Sequence, residues 1–285
     1  MNILILGGNG YIGSKVTRAL VNTGHSVICT KRATSNLTRV ADIQDKIKWI
    51  PASIDSVRKV LQHEEVDYVI NMACNYGRSN ESCDELIEAN FMFPLKVLNA
   101  MVEYGTQKFL TVGTGLPDEL NMYSFSKKMF SEFGRFYVQK FGITFNSLKL
   151  EMFYGADEPK DRFLPSLIIN MIDGKPISTT IGTQRRDIIS SEDVTKAIMI
   201  IVNSDISGFH EIPVGTGNAP TISEIVDFIW TETGKKSELH KGAIPLRYNE
   251  PDCIADTSLL ESIDEWNPVY WKQGIANMIK KMKEN

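Results

Sequence analysis

Short apolar runs alternate with longer amphipathic runs through the first 150 positions. Residues 2–6, 26–30, 47–50, 68–73, 109–112 and 144–150 are the short runs, and each predicts a buried strand. Between them, residues 14–22, 56–63 and 85–104 space their apolar side chains as helices do, with Gly24 stopping the first. Beyond residue 150 the pattern loosens. Residues 163–172 predict a helix, Gly174-Lys175-Pro176 a break, and residues 191–202 helix and strand material. From Gly208 onward the runs are shorter and more irregular.

Strands alternating with helices predict a parallel sheet covered on both faces. At the first junction the chain reads Gly7-Gly8-Asn9-Gly10-Tyr11-Ile12-Gly13. Strand, glycine turn, helix and strand form half of a dinucleotide-binding unit, so the expected class is α/β with a Rossmann-type, doubly wound parallel sheet. Gly7 permits the tight turn, Gly10 lets backbone N–H groups approach a pyrophosphate at the positive helix end, and Gly13 lets the helix lie close to the strand. Tyr11 and Ile12, inside the turn, join the expected cofactor contacts. The expected division is an NAD(P)-binding domain over residues 1–150, to which segments near 180–203 return, and a smaller, mainly substrate-binding C-terminal lobe over 151–285. Ligands should lie beyond the carboxyl ends of the strands, at residues 7–13, 30–32, 73–78 and 113–116. That adds Met72 and Ala73 to the cofactor contacts and makes Tyr76 and Arg78 candidate lid contacts to substrate.

An acidic residue at the end of the second strand would bond the ribose 2′-hydroxyl of NAD. Thr30-Lys31-Arg32 instead offers two cations and no carboxylate to repel a 2′-phosphate, which favours NADPH over NADH.

Tyr123-Ser124-Phe125-Ser126-Lys127 carries the candidate chemistry. A tyrosine and a lysine four apart share one helix face. Phe130, Gly134 and Tyr137 continue that face, with Met129, Phe133 and Phe136 as a neighbouring apolar stripe. Reducing a carbonyl leaves an alkoxide that needs a proton, and a free phenol, with a pKa of about 10, is a sluggish acid at neutral pH. A nearby ammonium stabilises phenolate and lowers that value. Thr114, just after the fifth strand, is placed to supply a hydroxyl beside the carbonyl oxygen.

Bulk properties narrow the rest. The chain has 285 residues, enough for one large domain or two closely joined ones. A net charge of −4 gives no nucleic-acid footprint. Cys29, Cys74, Cys83 and Cys253 show no metal-ligand spacing, so no metal is expected. Cys29 and Cys74 sit in apolar runs and are expected to be buried thiols in a reducing, cytoplasmic setting. Residues 3–6 are too short an apolar start for a signal peptide or a membrane span, and no membrane partner is expected.

Taken together, these motifs resemble an extended short-chain dehydrogenase/reductase of the nucleotide-sugar epimerase/dehydratase type, over nearly the full length. Gly7, Gly10 and Gly13 match its glycine motif, and Thr114, Tyr123 and Lys127 its catalytic triad. Asn90 matches a helix asparagine kept near the site. Residues 149–155 resemble its L-R-x-x-N-V-Y-G run and residues 182–187 its G-x-Q-x-R-D run. The resemblance implies that Arg186 clasps the diphosphate of a sugar nucleotide and that Arg247 is a second phosphate-binding arginine. It also implies a homodimer through the helices at residues 85–104 and 123–140. Residues 73–78, 150–155, 162–165 (Phe163 among them) and 242–244 resemble the reductases that make CDP-abequose and related deoxysugars.

Some positions depart from the family pattern. Met152 replaces an asparagine and cannot donate to a diphosphate. Ser53, followed by Ile54, stands where relatives keep an aspartate near adenine. The stretch between Thr114 and Tyr123 is short, which opens or relines the substrate pocket. Dehydratases carry Asp-Glu after the catalytic threonine; Gly115 and Leu116 have neither acid nor base, which argues against dehydration. The expected reaction is hydride transfer from NADPH to C4 of a nucleotide-activated 4-keto-deoxysugar. An NAD-dependent 4-epimerase is the alternative, and a non-catalytic cofactor sensor a remote one.

Overall fold

The computed structural model describes residues 1–246 and 250–284. The chain starts with β1 (Asn2–Leu6), α1 (Tyr11–Asn22), β2 (Ser26–Lys31), β3 (Ile47–Pro51), α2 (Ile54–His63) and β4 (Tyr68–Asn71). It continues through α3 (Cys83–Ile87), a π-helical turn (Glu88–Met92), α4 (Phe93–Glu103), β5 (Lys108–Val112), α5 (Met122–Phe141) and β6 (Thr144–Leu150). Then come β7 (Met152–Tyr154), α6 (Phe163–Ile172), β8 (Ile177–Thr179), β9 (Ile188–Ser190), α7 (Ser191–Asn203) and β10 (Phe209–Val214). The last elements are α8 (Ile222–Glu232), β11 (Leu239–Lys241), α9 (Ser258–Ile263) and α10 (Trp271–Glu284).

Seven strands form one sheet in the order β10-β6-β5-β4-β1-β2-β3, and the pairs from β6 to β3 are parallel. Ile3, Leu4, Ile5 and Leu6 are fully buried because β1 is central and covered on both faces. From β1 the chain winds outward through β2 to β3, then returns to build β4 on the other side. The strand order therefore reverses at β1 and β4, where sheets of this kind open a crevice. One face of the sheet packs Val57, Val97, Phe130 and Phe145 from α2, α4, α5 and β6 into a single core.

Contacts divide the chain into two compact units, Met1–Leu150 with Thr195–Ile212, and Glu151–Val194 with Pro213–Asn285. In the second unit, β7 pairs with β9 and β8 with β11, both in parallel. Its core gathers Leu164 and Ile168 of α6, Ile225 and Ile229 of α8, and Trp271 and Ile275 of α10.

Three local expectations are corrected. Residues 85–104 are not one regular helix: Glu88–Met92 is a π turn. Pro94 has no amide to donate to the carbonyl four residues back, so the ladder widens there. Residues 191–202 hold helix alone, capped by Ser190, whose hydroxyl accepts from the Asp193 amide at 3.0 Å. Cys74 lies past the end of β4 and is only half-buried, whereas Cys29 is fully buried. The irregular tail also contains two well-formed helices, α8 and α10; Lys281 and Lys283 lie in the last turn of α10.

Candidate active site

The glycine turn is sterically committed to glycine. Gly7 has φ +80°. A Cβ on it would lie 2.8 Å from the Ala73 amide nitrogen, and one on Gly13 would lie 2.2 Å from the Gly7 carbonyl oxygen. The Gly10 amide donates to that same carbonyl at 3.0 Å. No side chain caps α1, and its first turn carries no acid. A bare, positive helix end behind a cradle without side chains fits the pyrophosphate of a dinucleotide. Ile12 is buried, and the Tyr11 ring has the Arg39 guanidinium 5.2 Å and the Lys15 ammonium 5.4 Å from its centroid. Met72 donates its amide to Leu6 at 2.9 Å, which sets residues 72–73 beside the turn.

At the end of β2, Thr30 is buried and Arg32 exposed. Lys31 rests its ammonium 5.9 Å from the Trp49 ring. The Ala52 amide donates to the Lys31 carbonyl at 2.9 Å, so Ser53 and Ile54 lie close to that strand end. The Ser53 hydroxyl is engaged as the cap of α2, accepting from the Ser56 amide at 3.3 Å.

Tyr123 and Lys127 lie in the first turns of α5, which Asn121 and Ser124 fix with a reciprocal capping box. Lys127 is 6% exposed, and its ammonium donates to the Val112 carbonyl at the end of β5, at 2.9 Å. Burial pulls its pKa below the ordinary lysine value, with the neighbouring Cys74 opposing weakly. Among the described residues it has no carboxylate partner. Such an ammonium is a source of positive potential in a poorly screened place. Thr114 follows β5 at once, and its Oγ1 accepts from the Leu116 amide at 3.2 Å, which leaves the hydroxyl proton for another acceptor.

The β4–α3 loop reaches the same place. The Tyr76 and Tyr123 ring centroids are 5.1 Å apart, and the Arg78 guanidinium lies 5.3 Å from the Tyr76 ring. Asn90 holds this loop. It is fully buried in the π turn, accepts from the Asn75 amide at 2.7 Å and donates to the Asn75 carbonyl at 2.8 Å. It also donates to the Ser126 hydroxyl at 3.2 Å, which in turn donates to the Tyr123 carbonyl at 2.8 Å. Asn75, Ser126 and Val112 were not singled out from the sequence. The only sign of Ser126 there is its place between Tyr123 and Lys127.

In the second unit Met152 and Phe163 begin β7 and α6. Met152 is half-buried and Phe163 exposed. Arg186 is buried: its Nη1 donates to the carbonyls of Arg185 and Pro251 at 2.6 and 2.7 Å, and its Nη2 pairs with the Glu250 carboxylate. Beside it Asp187, fully buried, accepts from the amides of Thr216, Gly217 and Ala255 and from the Thr216 hydroxyl. That carboxylate ties three segments together and was not foreseen. Arg247 lies outside the described residues. No helix among the described residues is long and apolar enough to cross a membrane, and no cluster of three metal-ligating side chains occurs among them.

An α/β sheet with a glycine cradle at its switch point and a Tyr-Lys helix defines a nucleotide-dependent enzyme class, and comparison with known proteins agrees. Residues 3–215 match the NAD dependent epimerase/dehydratase family, and the chain belongs to it. CDP-abequose synthase of Salmonella muenchen is 27% identical, over 99% of this chain and 98% of that protein. A putative UDP-glucose 4-epimerase of Methanocaldococcus jannaschii is 26% identical over 99% of each. Among solved structures, UDP-glucose 4-epimerase of Thermotoga maritima with UDP-glucose superposes with a TM-score of 0.86 at 19% identity, covering 100% of this chain and 99% of that one.

Proposed function

We propose that the protein is an NADPH-dependent 4-ketoreductase of a nucleotide-activated 4-keto-6-deoxy or dideoxy sugar, in deoxysugar and surface-polysaccharide biosynthesis such as that of lipopolysaccharide. The observation that carries this reading is the buried Lys127 ammonium, held on Val112 one turn from Tyr123 and, among the described residues, without a carboxylate to neutralise it. An uncompensated cation favours the anionic form of a nearby phenol, which is what a tyrosine acting as acid near neutral pH requires.

The cofactor would rest on residues 7–13, with Met72 and Ala73 beneath and Lys31 and Arg32 for a 2′-phosphate. When bound, the reduced nicotinamide supplies hydride. Tyr123 then donates its phenolic proton to the sugar's new oxygen at C4, Thr114 donates a hydrogen bond to that oxygen, and Lys127 lowers the cost of the resulting phenolate. Arg186 and Arg247 would hold the diphosphate. Tyr76 and Arg78 would cover the sugar. Gly115 and Leu116 offer no acid or base for elimination. The likeness to CDP-abequose synthase supports the choice of a deoxysugar. Phe125, Phe133 and Phe136 leave an exposed aromatic face on α5, which supports a homodimer.

A second reading is a nucleotide-sugar 4-epimerase that recycles bound NAD, favoured by the epimerases among the relatives and the similar structures. A panel of CDP-, dTDP-, GDP- and UDP-4-keto-deoxysugars, followed by NADPH oxidation and product analysis, separates the two. Stoichiometric NADPH loss with one reduced sugar is expected. Interconversion of two sugars without net NADPH loss would establish the epimerase. NADPH binding without turnover would leave a sensor.

A further inference from the structure

Arg186 is already provided with an anion. Its side chain is 10% exposed, and its guanidinium pairs with the carboxylate of Glu250, whose side chain is 21% exposed. The other Glu250 oxygen accepts from the Gln184 side-chain amide at 3.5 Å. Behind the pair the backbone is rigidly tied. The Arg186 amide donates to Pro220 at 2.9 Å, the Asp187 amide to Cys253 at 2.8 Å, and the Cys253 amide to Arg185 at 3.1 Å. The guanidinium therefore points at residues 250–251 and has little freedom to turn elsewhere.

A buried cation needs a counter-charge, and two anions on one guanidinium edge repel each other. We propose that Glu250 is a placeholder anion: it holds Arg186 in position before substrate arrives and yields Nη2 to an incoming diphosphate. This deepens the reading of Arg186 as the diphosphate clamp and rests on it. The cost of displacement falls only on a ligand that takes Nη2. A diphosphate brings charge to replace the lost pair, whereas a nucleoside leaves the pair in place and binds independently of it. Glu250 thus sets the affinity for the diphosphate and not for the base and ribose.

Titration calorimetry with CDP and UDP, each compared with its monophosphate and nucleoside, tests this on the full chain. Glu250→Gln keeps the shape and one acceptor for Arg186 but removes the competing charge. Replacing a charge-assisted hydrogen bond by a neutral one is worth about 1 kcal/mol, so diphosphate binding should tighten about 5-fold while nucleoside binding stays unchanged. The unliganded variant should melt below the wild type, and saturating CDP or UDP should raise its Tm by more than it raises that of the wild type. Unchanged or weaker diphosphate binding by Glu250→Gln would overturn the placeholder role. Glu250→Asp, which keeps the charge but shortens the reach, should tighten binding in the same direction and serves if the glutamine variant does not fold. Arg186→Met reads the underlying assignment separately. It should lose diphosphate affinity at least 10-fold, and wild-type affinity would remove the clamp itself whatever Glu250 does.

Discussion

The Lys127 ammonium donates to the carbonyl of Val112 at 2.9 Å, across the junction of α5 with the end of β5. This one bond joins the helix that carries Tyr123 to the strand that leads into Thr114. It fixes a positive charge at the end of β5, because a buried ammonium cannot swing out to water without giving up this acceptor.

Replacing that charge should separate chemistry from folding. Lys127→Met is expected to lower kcat by about 100- to 10,000-fold, the usual scale for a lost acid–base contribution. Stability should change little, since relief of the buried charge offsets the unpaired Val112 carbonyl. The sign of the pH effect follows from burial. Because the native lysine titrates below its unfolded value, the unfolded chain binds more protons between those two values. Wild-type stability relative to Lys127→Met should therefore rise with pH through that window and stay flat below it. Denaturant titrations from pH 7 to pH 10.5 check this.

Asn90 should act as a positioning residue. Asn90→Leu removes the bonds to Asn75 and Ser126, and with them the link between the Tyr76 loop and the start of α5. The unpaired Asn75 groups and the lost bonds should cost about 2–4 kcal/mol of stability. KM for the sugar should rise more than kcat falls, because the Tyr76–Tyr123 contact is loosened while Lys127 keeps its own anchor. Steady-state kinetics that show a pure kcat defect would contradict this.

Cofactor choice should reside in Arg32 more than in Lys31. Arg32 is exposed at the end of β2, whereas Lys31 lies over Trp49. A charge-assisted hydrogen bond of about 1.5–3 kcal/mol corresponds to a KM change of roughly 10- to 150-fold. Arg32→Ala should raise KM for NADPH on that scale and leave KM for NADH unchanged, and Lys31→Ala should do less. Equal effects on both cofactors would exclude 2′-phosphate recognition by Arg32.

Tyr154 is a stability prediction of the opposite sign. Its side chain is 2% exposed, and its hydroxyl has no hydrogen-bond partner among the described residues. Tyr154→Phe should therefore stabilise the protein by about 1 kcal/mol, measured by chemical denaturation. Burial, aided by Asp193 and Glu192, holds its pKa above the ordinary tyrosine value. The unfolded phenol ionises near pH 10 while the native one stays protonated, so the wild type loses stability as pH climbs past 10. The phenylalanine variant should lose less. Tyr68, pushed up to about 12 by burial, leaves part of that alkaline slope in both proteins.

The sequence alone determined the strand and helix periods, and hence the parallel sheet with its switch point beside the glycine turn. Strands buried on both faces are continuous apolar runs, and glycines forced by backbone clashes leave a spacing that survives without knowledge of the fold. The Tyr123–Lys127 spacing was legible for the same reason, since a helix converts a separation of four into a shared face. The tertiary structure alone decided what those side chains touch. That Val112 receives Lys127, that Asn90 braces the Tyr76 loop through a π turn, and that Asp187 gathers the 216–217 loop and Ala255 are contacts between segments distant in the chain. Arg186 shows the difference most sharply. Its motif suggests a cation waiting for phosphate, but a buried guanidinium must be neutralised locally, and the residue that neutralises it lies 64 positions away.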